Sequence, residues 1–182
     1  MLTPELDARF RAAALAEGLV DVRYDVTASP VGELFLASTD RGLCRISYRV
    51  EGQEEELARL FGVRVLRLPL DAVRRELDEY FEGERREFDL PLDLRVAPFH
   101  EAVLHELARV PYGRTETYGS LAAKVGRPKA ARAVGTVMHR NPIPIVLPCH
   151  RIVGANGSLT GYAGGLHVKR ALLELEGAML PS

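Results

Sequence analysis

Short segments of alternating hydrophobic and polar residues open the chain after a first stretch of helical character. Alternation over Val20–Val26 and Leu34–Ala37, followed by the apolar-rich run Gly42–Tyr48, predicts three β-strands. The residues Ser38–Gly42 have the composition of a hairpin turn, so neighbouring strands are expected to run antiparallel. The pattern predicts a small antiparallel sheet in the first half of the chain.

Elsewhere apolar residues recur every three or four positions, which predicts helices. The predicted helices are an opening helix with Leu6, Phe10, Ala14 and Leu15 on one face, then 53–61, 70–81, 99–108, 118–125, 129–139 and a last helix after the turn 161–165. Thr117 is a candidate N-cap, and Pro128 suits the first turn of the following helix. The short, glycine-containing link 126–128 is typical of a helix-turn-helix.

A proline-punctuated extended segment, Leu90–Pro98, separates two parts of opposite charge. Residues 1–95 carry 14 basic and 20 acidic side chains, whereas residues 96–182 carry 10 basic and 5 acidic ones. Residues 1–95 therefore carry a net charge of −6 and residues 96–182 a net charge of +5, although the overall charge is only −1. We place a domain boundary here, with an N-terminal α/β domain at 1–95 and a mostly helical domain at 96–182.

The composition excludes several classes of protein. A chain of 182 residues with 47% hydrophobic residues can bury a substantial core. No apolar run approaches the ~18 residues of a membrane span, and the N-terminus lacks the features of a secretory signal. Two cysteines cannot form a disulfide framework. We therefore expect a cytoplasmic protein with reduced thiols and no membrane partner.

Basic side chains concentrate between residues 114 and 140, where six of them accompany a single acid, Glu116. They are Arg114, Lys124, Arg127, Lys129, Arg132 and Arg140. Such a cluster is typical of a surface that binds a polyanion, and also of an ordinary solvated face. Small residues in the second helix of the pair would let its backbone approach another surface closely, which favours nucleic-acid binding.

The segment Asn141–Arg151 delivers a cysteine flanked by a histidine and an arginine. Cationic neighbours lower the pKa of a thiol, and the thiolate is the nucleophilic form. Cys149 is therefore a candidate nucleophile, although a buried structural cysteine has the same sequence appearance. On an extended strand adjacent side chains point apart, so Cys149 and His150 would need a bend or a bridging water. Cys44 lies in an apolar strand and is expected in the core.

No cofactor or metal is expected. His100 and His105 are one residue too far apart for the spacing of a metalloprotease helix, and the two cysteines are distant in sequence. The glycine-rich segment Gly161–Gly165 matches neither a phosphate-binding loop nor a dinucleotide fingerprint.

Taken with its flanking segments, the motif around Cys149 resembles the O6-alkylguanine-DNA alkyltransferase family, also called methylated-DNA–protein-cysteine methyltransferases. The matching segments are Tyr118–Ala122, Arg127–Gly135, Asn141–Ile145, Pro148–Arg151, Gly161–Leu166 and Leu173–Gly177. The resemblance implies an α+β fold, with a ribonuclease-H-like N-terminal domain and a winged-helix-like catalytic domain that contains the helix-turn-helix. It also implies a monomer that repairs DNA without a cofactor.

The resemblance further implies a reaction and the residues that perform it. Cys149 would accept the alkyl group from O6-alkylguanine once per molecule, after the nucleotide is flipped out of double-stranded DNA. His150 would take the thiol proton through water, Glu176 would orient His150, and Tyr118 would donate toward guanine N3. Whether O4-alkylthymine is also a substrate stays open.

The same resemblance assigns residues to DNA and to the base pocket. Those expected at the minor groove, without sequence preference, are Arg127, Lys129, Ala130, Ala131, Arg132, Gly135 and Arg151, with Arg132 entering the base stack. Those expected around the flipped base are Met138, Asn141, Pro144, Ile152, Tyr162 and Ala163.

Three other functions compete with this hypothesis. A non-catalytic protein that senses alkylated DNA would share the helix pair, although Cys149 argues against that class. An unrelated thiol hydrolase or redox enzyme would turn over repeatedly. A purely structural DNA-binding domain would not depend on Cys149 for any activity.

Overall fold

The computed structural model describes residues 3–62 and 64–180. Helices and strands both contribute, as the α+β prediction requires. The chain forms two compact units: unit 1 contains the residues up to Ala28, Gly32–Arg75 and Leu90–Asp93, and unit 2 contains Ser29–Val31, Glu76–Asp89 and the chain from Leu94 onward. The predicted domain boundary after residue 95 stays a prediction.

Unit 1 contains a four-stranded sheet flanked by helices. Its elements are α1 (Pro4–Ala16), β1 (Val22–Thr27), β2 (Leu34–Thr39), β3 (Gly42–Ser47), α2 (Gln53–Phe61) and β4 (Val65–Arg67). The strand order is β3-β2-β1-β4, and the three predicted strands pair antiparallel. The sheet also contains a strand that was not predicted, β4, which joins β1 in parallel. Three residues are too few for β4 to show a recognisable alternation in sequence.

The core of unit 1 lies against the sheet. Val22, Phe35, Ala37 and Leu57 are buried together with Cys44. The thiol of Cys44 is 3.3 Å from the carbonyl oxygen of Ala37, which agrees with the prediction that this cysteine belongs to the core.

Helix α3 (Asp71–Phe81) begins in residues of unit 1 and ends in residues of unit 2. The remaining elements of unit 2 are α4 (Pro98–Ala108), β5 (Glu116–Thr117), α5 (Tyr118–Lys124), α6 (Ala131–His139), a 3-10 turn (Cys149–Arg151), β6 (Ile152–Val153) and α7 (Leu166–Leu175). Strands β5 and β6 form a short parallel pair. Among residues 3–62 and 64–180, no helix is long and apolar enough to cross a membrane.

Helices α5 and α6 differ from their predicted bounds at the link between them. Thr117 caps α5 as predicted, since its hydroxyl accepts from the N–H of Ser120 at 3.1 Å. Helix α6 begins two residues later than expected, at Ala131. The N–H of Ala130 bonds the carbonyl of Arg127 at 2.8 Å and closes a turn there, so Pro128 lies in the link rather than in the first helical turn.

Candidate active site

The loop that carries Cys149 is held by one amide side chain. Nδ2 of Asn141 donates to the carbonyl oxygen of Leu147 at 2.8 Å, and its Oδ1 accepts from the N–H of Ile143 at 3.1 Å. Ile145 is fully buried and has a φ of 74°, a backbone conformation that a β-branched residue rarely adopts. Such strain persists where the surroundings fix the chain, as they do in this loop.

Cys149 lies in a 3-10 turn rather than on a strand, so the alternation that would send its side chain and that of His150 to opposite faces does not apply. Cys149 is 3% exposed. Burial raises the pKa of its thiol to about 11, against the smaller opposing effects of the Asn141 amide and the Lys169 charge. The expected lowering of this pKa by a cation is present, but desolvation outweighs it in the resting site. The thiol therefore needs a base.

His150 is completely buried, and its Nε2 lies 2.8 Å from Oε1 of Glu176. Burial opposes ionisation of Glu176, but the hydrogen bonds from His150 and Arg151, together with the charge of Arg151, lower its pKa to about 2. A carboxylate only accepts, so Nε2 of His150 is the donor. Its Nδ1 therefore carries the lone pair, and this atom has no hydrogen-bond partner among residues 3–62 and 64–180. Burial lowers the pKa of His150, which keeps the imidazole neutral and able to accept a proton.

Glu176 immediately follows α7, and four residues donate hydrogen bonds to its carboxylate. The guanidinium of Arg151 donates from Nη2 to Oε1 and from Nε to Oε2, both at 2.9 Å. The hydroxyl of Tyr80 donates to Oε1 at 2.8 Å, and the N–H of Gly113 donates to Oε2 at 3.3 Å. With His150, these bonds satisfy a carboxylate that is shielded from water.

Arg151, which the resemblance assigns to the DNA surface, lies in the interior of unit 2. Its side chain is buried, and Nη1 donates to the carbonyl of Val110 at 2.6 Å while the rest of the guanidinium holds Glu176. Sequence reasoning grouped Arg151 with the surface cations because it is basic, but a buried carboxylate is the partner that a buried guanidinium requires.

Lys169 on α7 is also buried, and its ammonium group lies at the site. Nζ donates to the carbonyl of Ile152 at 2.5 Å and to that of Thr160 at 3.2 Å. Burial lowers the pKa of Lys169, and the charge of a Cys149 thiolate acts in the opposite direction. The lysine cation and the thiolate therefore stabilise each other.

Tyr118 begins α5 and points its hydroxyl at Thr160, with 2.8 Å between the two oxygens. Gly135 faces this ring: a methyl group added at position 135 would lie 3.9 Å from Tyr118, an ordinary contact distance. Gly135 thus packs toward Tyr118, whereas sequence reasoning assigned it to the DNA surface.

The other residues predicted to bind DNA surround the start of α6. Arg127, Lys129 and Arg132 are exposed, and Ala130 and Ala131 are half-buried. The guanidinium of Arg127 also lies 5.2 Å from the centre of the Phe99 ring. Cationic side chains and small residues therefore occupy one end of this helix, as a surface for a polyanion requires.

The residues predicted to line a base pocket differ in exposure. Met138, Pro144 and Ile152 are buried, Asn141 and Tyr162 are half-buried, and Ala163 is exposed. The ring of Tyr162 meets that of His150 edge-on, with centroids 6.5 Å apart. Two cavities, of about 430 and 380 Å³, are lined by residues of unit 1. Within 3–62 and 64–180, no group of three or more potential metal-ligating side chains occurs.

Comparison with known families matches both parts of the chain. The family model described as 6-O-methylguanine DNA methyltransferase, ribonuclease-like domain, matches residues 22–94, and the one described as its DNA binding domain matches residues 98–178. The chain belongs to this methyltransferase family. The resemblance found in the sequence is confirmed.

Alignments with other members of the methyltransferase family cover most of the chain. The methylated-DNA–protein-cysteine methyltransferase of Methanosarcina acetivorans is 40% identical and aligns over 85% of this chain and 98% of its own length. That of Mycobacterium tuberculosis is 44% identical over 88% and 96%. The crystal structure of Mycobacterium tuberculosis O6-methylguanine methyltransferase is similar with a TM-score of 0.77, 41% identity and coverage of 88% and 96%. A crystal structure of the same organism's OGT in complex with DNA has a TM-score of 0.77, 40% identity and coverage of 86% and 93%.

Two side chains at the site were missed by sequence reasoning. A signal existed for Lys169, which shares a helical face with the buried Leu172 and Leu173 and so occupies an apolar position. Tyr80 gave no such signal, because it fits the apolar face of α3 and lies within the part of the chain that matches the ribonuclease-like domain.

Proposed function

We propose that this protein repairs alkylated DNA by direct reversal, transferring the alkyl group of O6-alkylguanine in double-stranded DNA to Cys149 once per molecule. The observation that carries the proposal is the arrangement of His150. Its Nε2 is committed to Glu176, and its buried Nδ1 has no partner in the described part of the chain. A neutral imidazole with one open nitrogen beside a protonated thiol is what a general base requires.

The first step removes the thiol proton. Cys149 loses its proton through a water molecule to Nδ1 of His150, and the imidazolium is stabilised by the Glu176 carboxylate at Nε2. The buried Lys169 ammonium favours the thiolate that remains. The two charges created by proton transfer thus each have an opposite charge near them, which offsets the desolvation that keeps the thiol protonated at rest.

The second step transfers the alkyl group. The Cys149 sulfur attacks the alkyl carbon in line with the C–O bond, the S–C bond forms, and the electron pair of the C–O bond passes to O6 of guanine. The hydroxyl of Tyr118 donates toward N3 of the base and stabilises the departing guanine anion. This requires Tyr118 to exchange its bond to Thr160 for one to the substrate. A thioether is a poor leaving group, so the protein acts once.

DNA reaches the buried sulfur through a flipped nucleotide, because a stacked base cannot enter a site where Cys149 is so little exposed. We propose that α6 lies in the minor groove, with the exposed Arg132 entering the stack in place of the flipped base. Arg127 and Lys129 contact phosphates, which suits binding without sequence preference. Ala130 and Ala131 allow close approach of the helix.

The flipped base is proposed to lie beside the ring of Tyr162, with Met138, Pro144 and Ile152 behind it and the backbone at Ala163 near its edge. Asn141 keeps the loop in place through its bonds to Ile143 and Leu147. We further propose that the protein is a cytoplasmic monomer, that the helix pair acts as a helix-turn-helix, and that residues 1–95 and 96–182 are its domains.

Intact-mass spectrometry tests the reaction. The protein is incubated with duplex DNA that contains one O6-methylguanine, and the expected result is one methyl group per chain, located on the Cys149 peptide. Cys149→Ala abolishes methylation, whereas Cys44→Ala, which removes the core thiol, leaves it intact. Repeated turnover would instead identify a hydrolase, and tight binding with the lesion retained would identify a damage sensor.

A further inference from the structure

The Glu176 carboxylate has a donor that the reaction described above does not use. The hydroxyl of Tyr80 lies 2.8 Å from Oε1 of Glu176, the same oxygen that accepts from Nε2 of His150. Tyr80 is fully buried. We propose that Tyr80 is a positioning residue for alkyl transfer, whose hydroxyl orients the Glu176 carboxylate and, through it, the imidazole of His150. This inference rests on the proposed function.

The ring of Tyr80 is fixed by its neighbours. Phe81 and Phe88 each lie 5.4 Å from it, and Tyr112 meets it edge-on at 6.1 Å, measured between ring centroids. Aromatic packing of this kind restricts the ring, so the hydroxyl is directed at Oε1 before any substrate arrives. A phenylalanine would make the same ring contacts, so packing does not explain why this residue carries a hydroxyl.

The negative charge of the Glu176 carboxylate explains the hydroxyl of Tyr80. Oε1 of Glu176 also accepts from Nη2 of Arg151 at 2.9 Å, so three donors share one oxygen. Tyr80 is neutral, and burial together with the Glu176 charge raises its pKa, so it stays a donor throughout the working pH range. A donor to Oε1 withdraws negative charge from the atom that faces the imidazole. Tyr80 therefore limits how strongly Glu176 favours the imidazolium form of His150.

The surroundings of the imidazole contain few other charges that act on it. Glu176 favours its protonated form, whereas Arg151 and Lys169 oppose that form. Tyr80 itself is acted on by Glu176, Arg151 and the neighbouring Tyr112. Loss of the Tyr80 hydroxyl leaves these charges in place and removes one hydrogen bond to the Glu176 carboxylate. The proton affinity of His150 is therefore expected to rise.

Tyr80→Phe keeps the ring and removes the hydroxyl. The expected result is alkyl transfer slowed about tenfold at neutral pH, because the Glu176 carboxylate, and with it the imidazole, loses one of the hydrogen bonds that fix its orientation. The acid limb of the pH–rate profile moves to higher pH, because His150 protonates more readily. The matched control is Tyr112→Phe, whose hydroxyl bonds the carbonyl of Leu175 at 3.2 Å and does not reach the carboxylate; its profile stays that of the unmodified protein.

A second measurement separates this inference from the proposed function. NMR titration of the His150 ring needs no DNA, and in Tyr80→Phe the midpoint is expected at higher pH. If the midpoint moves but no chain is methylated by DNA, the positioning role stands and the repair assignment fails. An unchanged midpoint together with an unchanged rate profile overturns the role of Tyr80.

A substitution of opposite sign keeps the test decisive even if Tyr80→Phe does not fold. Incorporation of 3-fluorotyrosine at position 80 retains the hydroxyl and makes it a stronger donor, so the His150 titration moves to lower pH. A double-mutant cycle adds a further check, since Tyr80→Phe should have little effect in a Glu176→Gln background. Equal effects in both backgrounds would contradict a role exerted through the carboxylate.

Discussion

Oε1 of Glu176 and Nε2 of His150 are 2.8 Å apart, and neither side chain is accessible to water. The same carboxylate lies 2.9 Å from Nη2 of Arg151. One buried anion therefore balances a buried cation and fixes the tautomer of a neutral base. Its removal should affect both the stability and the chemistry of unit 2, and the two effects can be measured separately.

Glu176→Gln leaves the Arg151 guanidinium buried without its counter-charge. We expect the free energy of unfolding to fall by about 3 kcal/mol, as for other broken buried pairs. Methyl transfer should slow by about 100-fold or more, because the amide can present a donor to Nε2 and no longer stabilises an imidazolium. Urea unfolding and single-turnover kinetics measure the two effects. Glu174→Gln, which removes a charge two residues earlier on α7, is the control, and equal losses in both variants would contradict the assignment.

The stability of the protein should fall on mild acidification. Burial lowers the pKa of His150 in the folded protein below its ordinary value of 6.5, so the unfolded chain binds a proton first. The free energy of unfolding then decreases as the pH falls below about 6.5. A second decrease follows below about 4.5 as the lowered pKa of Glu176 is approached.

Urea titrations at pH 7.5 and 5.5 test the first decrease. His150→Gln should weaken the dependence, although the half-buried His100, whose pKa is also lowered by burial, retains part of it. His105→Gln, at an exposed site, should leave the dependence intact. A His150→Gln protein with the full dependence would contradict burial of a neutral imidazole.

Lys169→Met removes the ammonium group near the sulfur. The thiol should then be harder to ionise, and methyl transfer at pH 7 should slow by about tenfold, the factor that follows from a change of one in a pKa. The deficit should shrink as the pH rises toward that of thiol ionisation. Rates between pH 7 and 10 measure this, with Arg170→Met on the exposed side of α7 as the control. A deficit that is constant with pH would indicate a packing defect instead.

Arg132→Ala tests nucleotide flipping. Without the exposed guanidinium, transfer from duplex DNA should slow by about tenfold or more, because extrusion of a base requires a few kcal/mol. Transfer from free O6-benzylguanine, which needs no flipping, should proceed at the unmodified rate. Parallel assays with the two substrates make the comparison, and equal slowing with both would place Arg132 in the chemistry rather than in flipping.

Much of the fold could be predicted because its signals are local. The helix around Val103 and Leu107 and the hairpin around Ser38–Gly42 follow from spacing and turn composition. β4 could not, since a three-residue edge strand depends on its pairing with β1 for its identity. The observed end of α5 and start of α6 differ from the predicted ones because backbone hydrogen bonds of the link compete with the helix for the same residues.

The site was predictable only in part, for a different reason. Cys149 and His150 are adjacent in sequence, so the motif revealed both. Glu176, 26 residues from His150, was named only through the family resemblance, and Tyr80 is 96 residues from its partner Glu176. Spacing carries no information about such pairs. Arg151 was expected at the DNA surface, since its charge is visible in the sequence and its burial is not.

The high proton affinity of the resting Cys149 thiol has a consequence for a reagent that works once. A sulfur kept as the neutral thiol is poorly reactive toward peroxides and stray electrophiles, since these attack the thiolate. The sulfur becomes nucleophilic only when a flipped nucleobase occupies the site and the thiol proton passes to the imidazole of His150. The thiol is thus protected from side reactions until it meets the alkylated base.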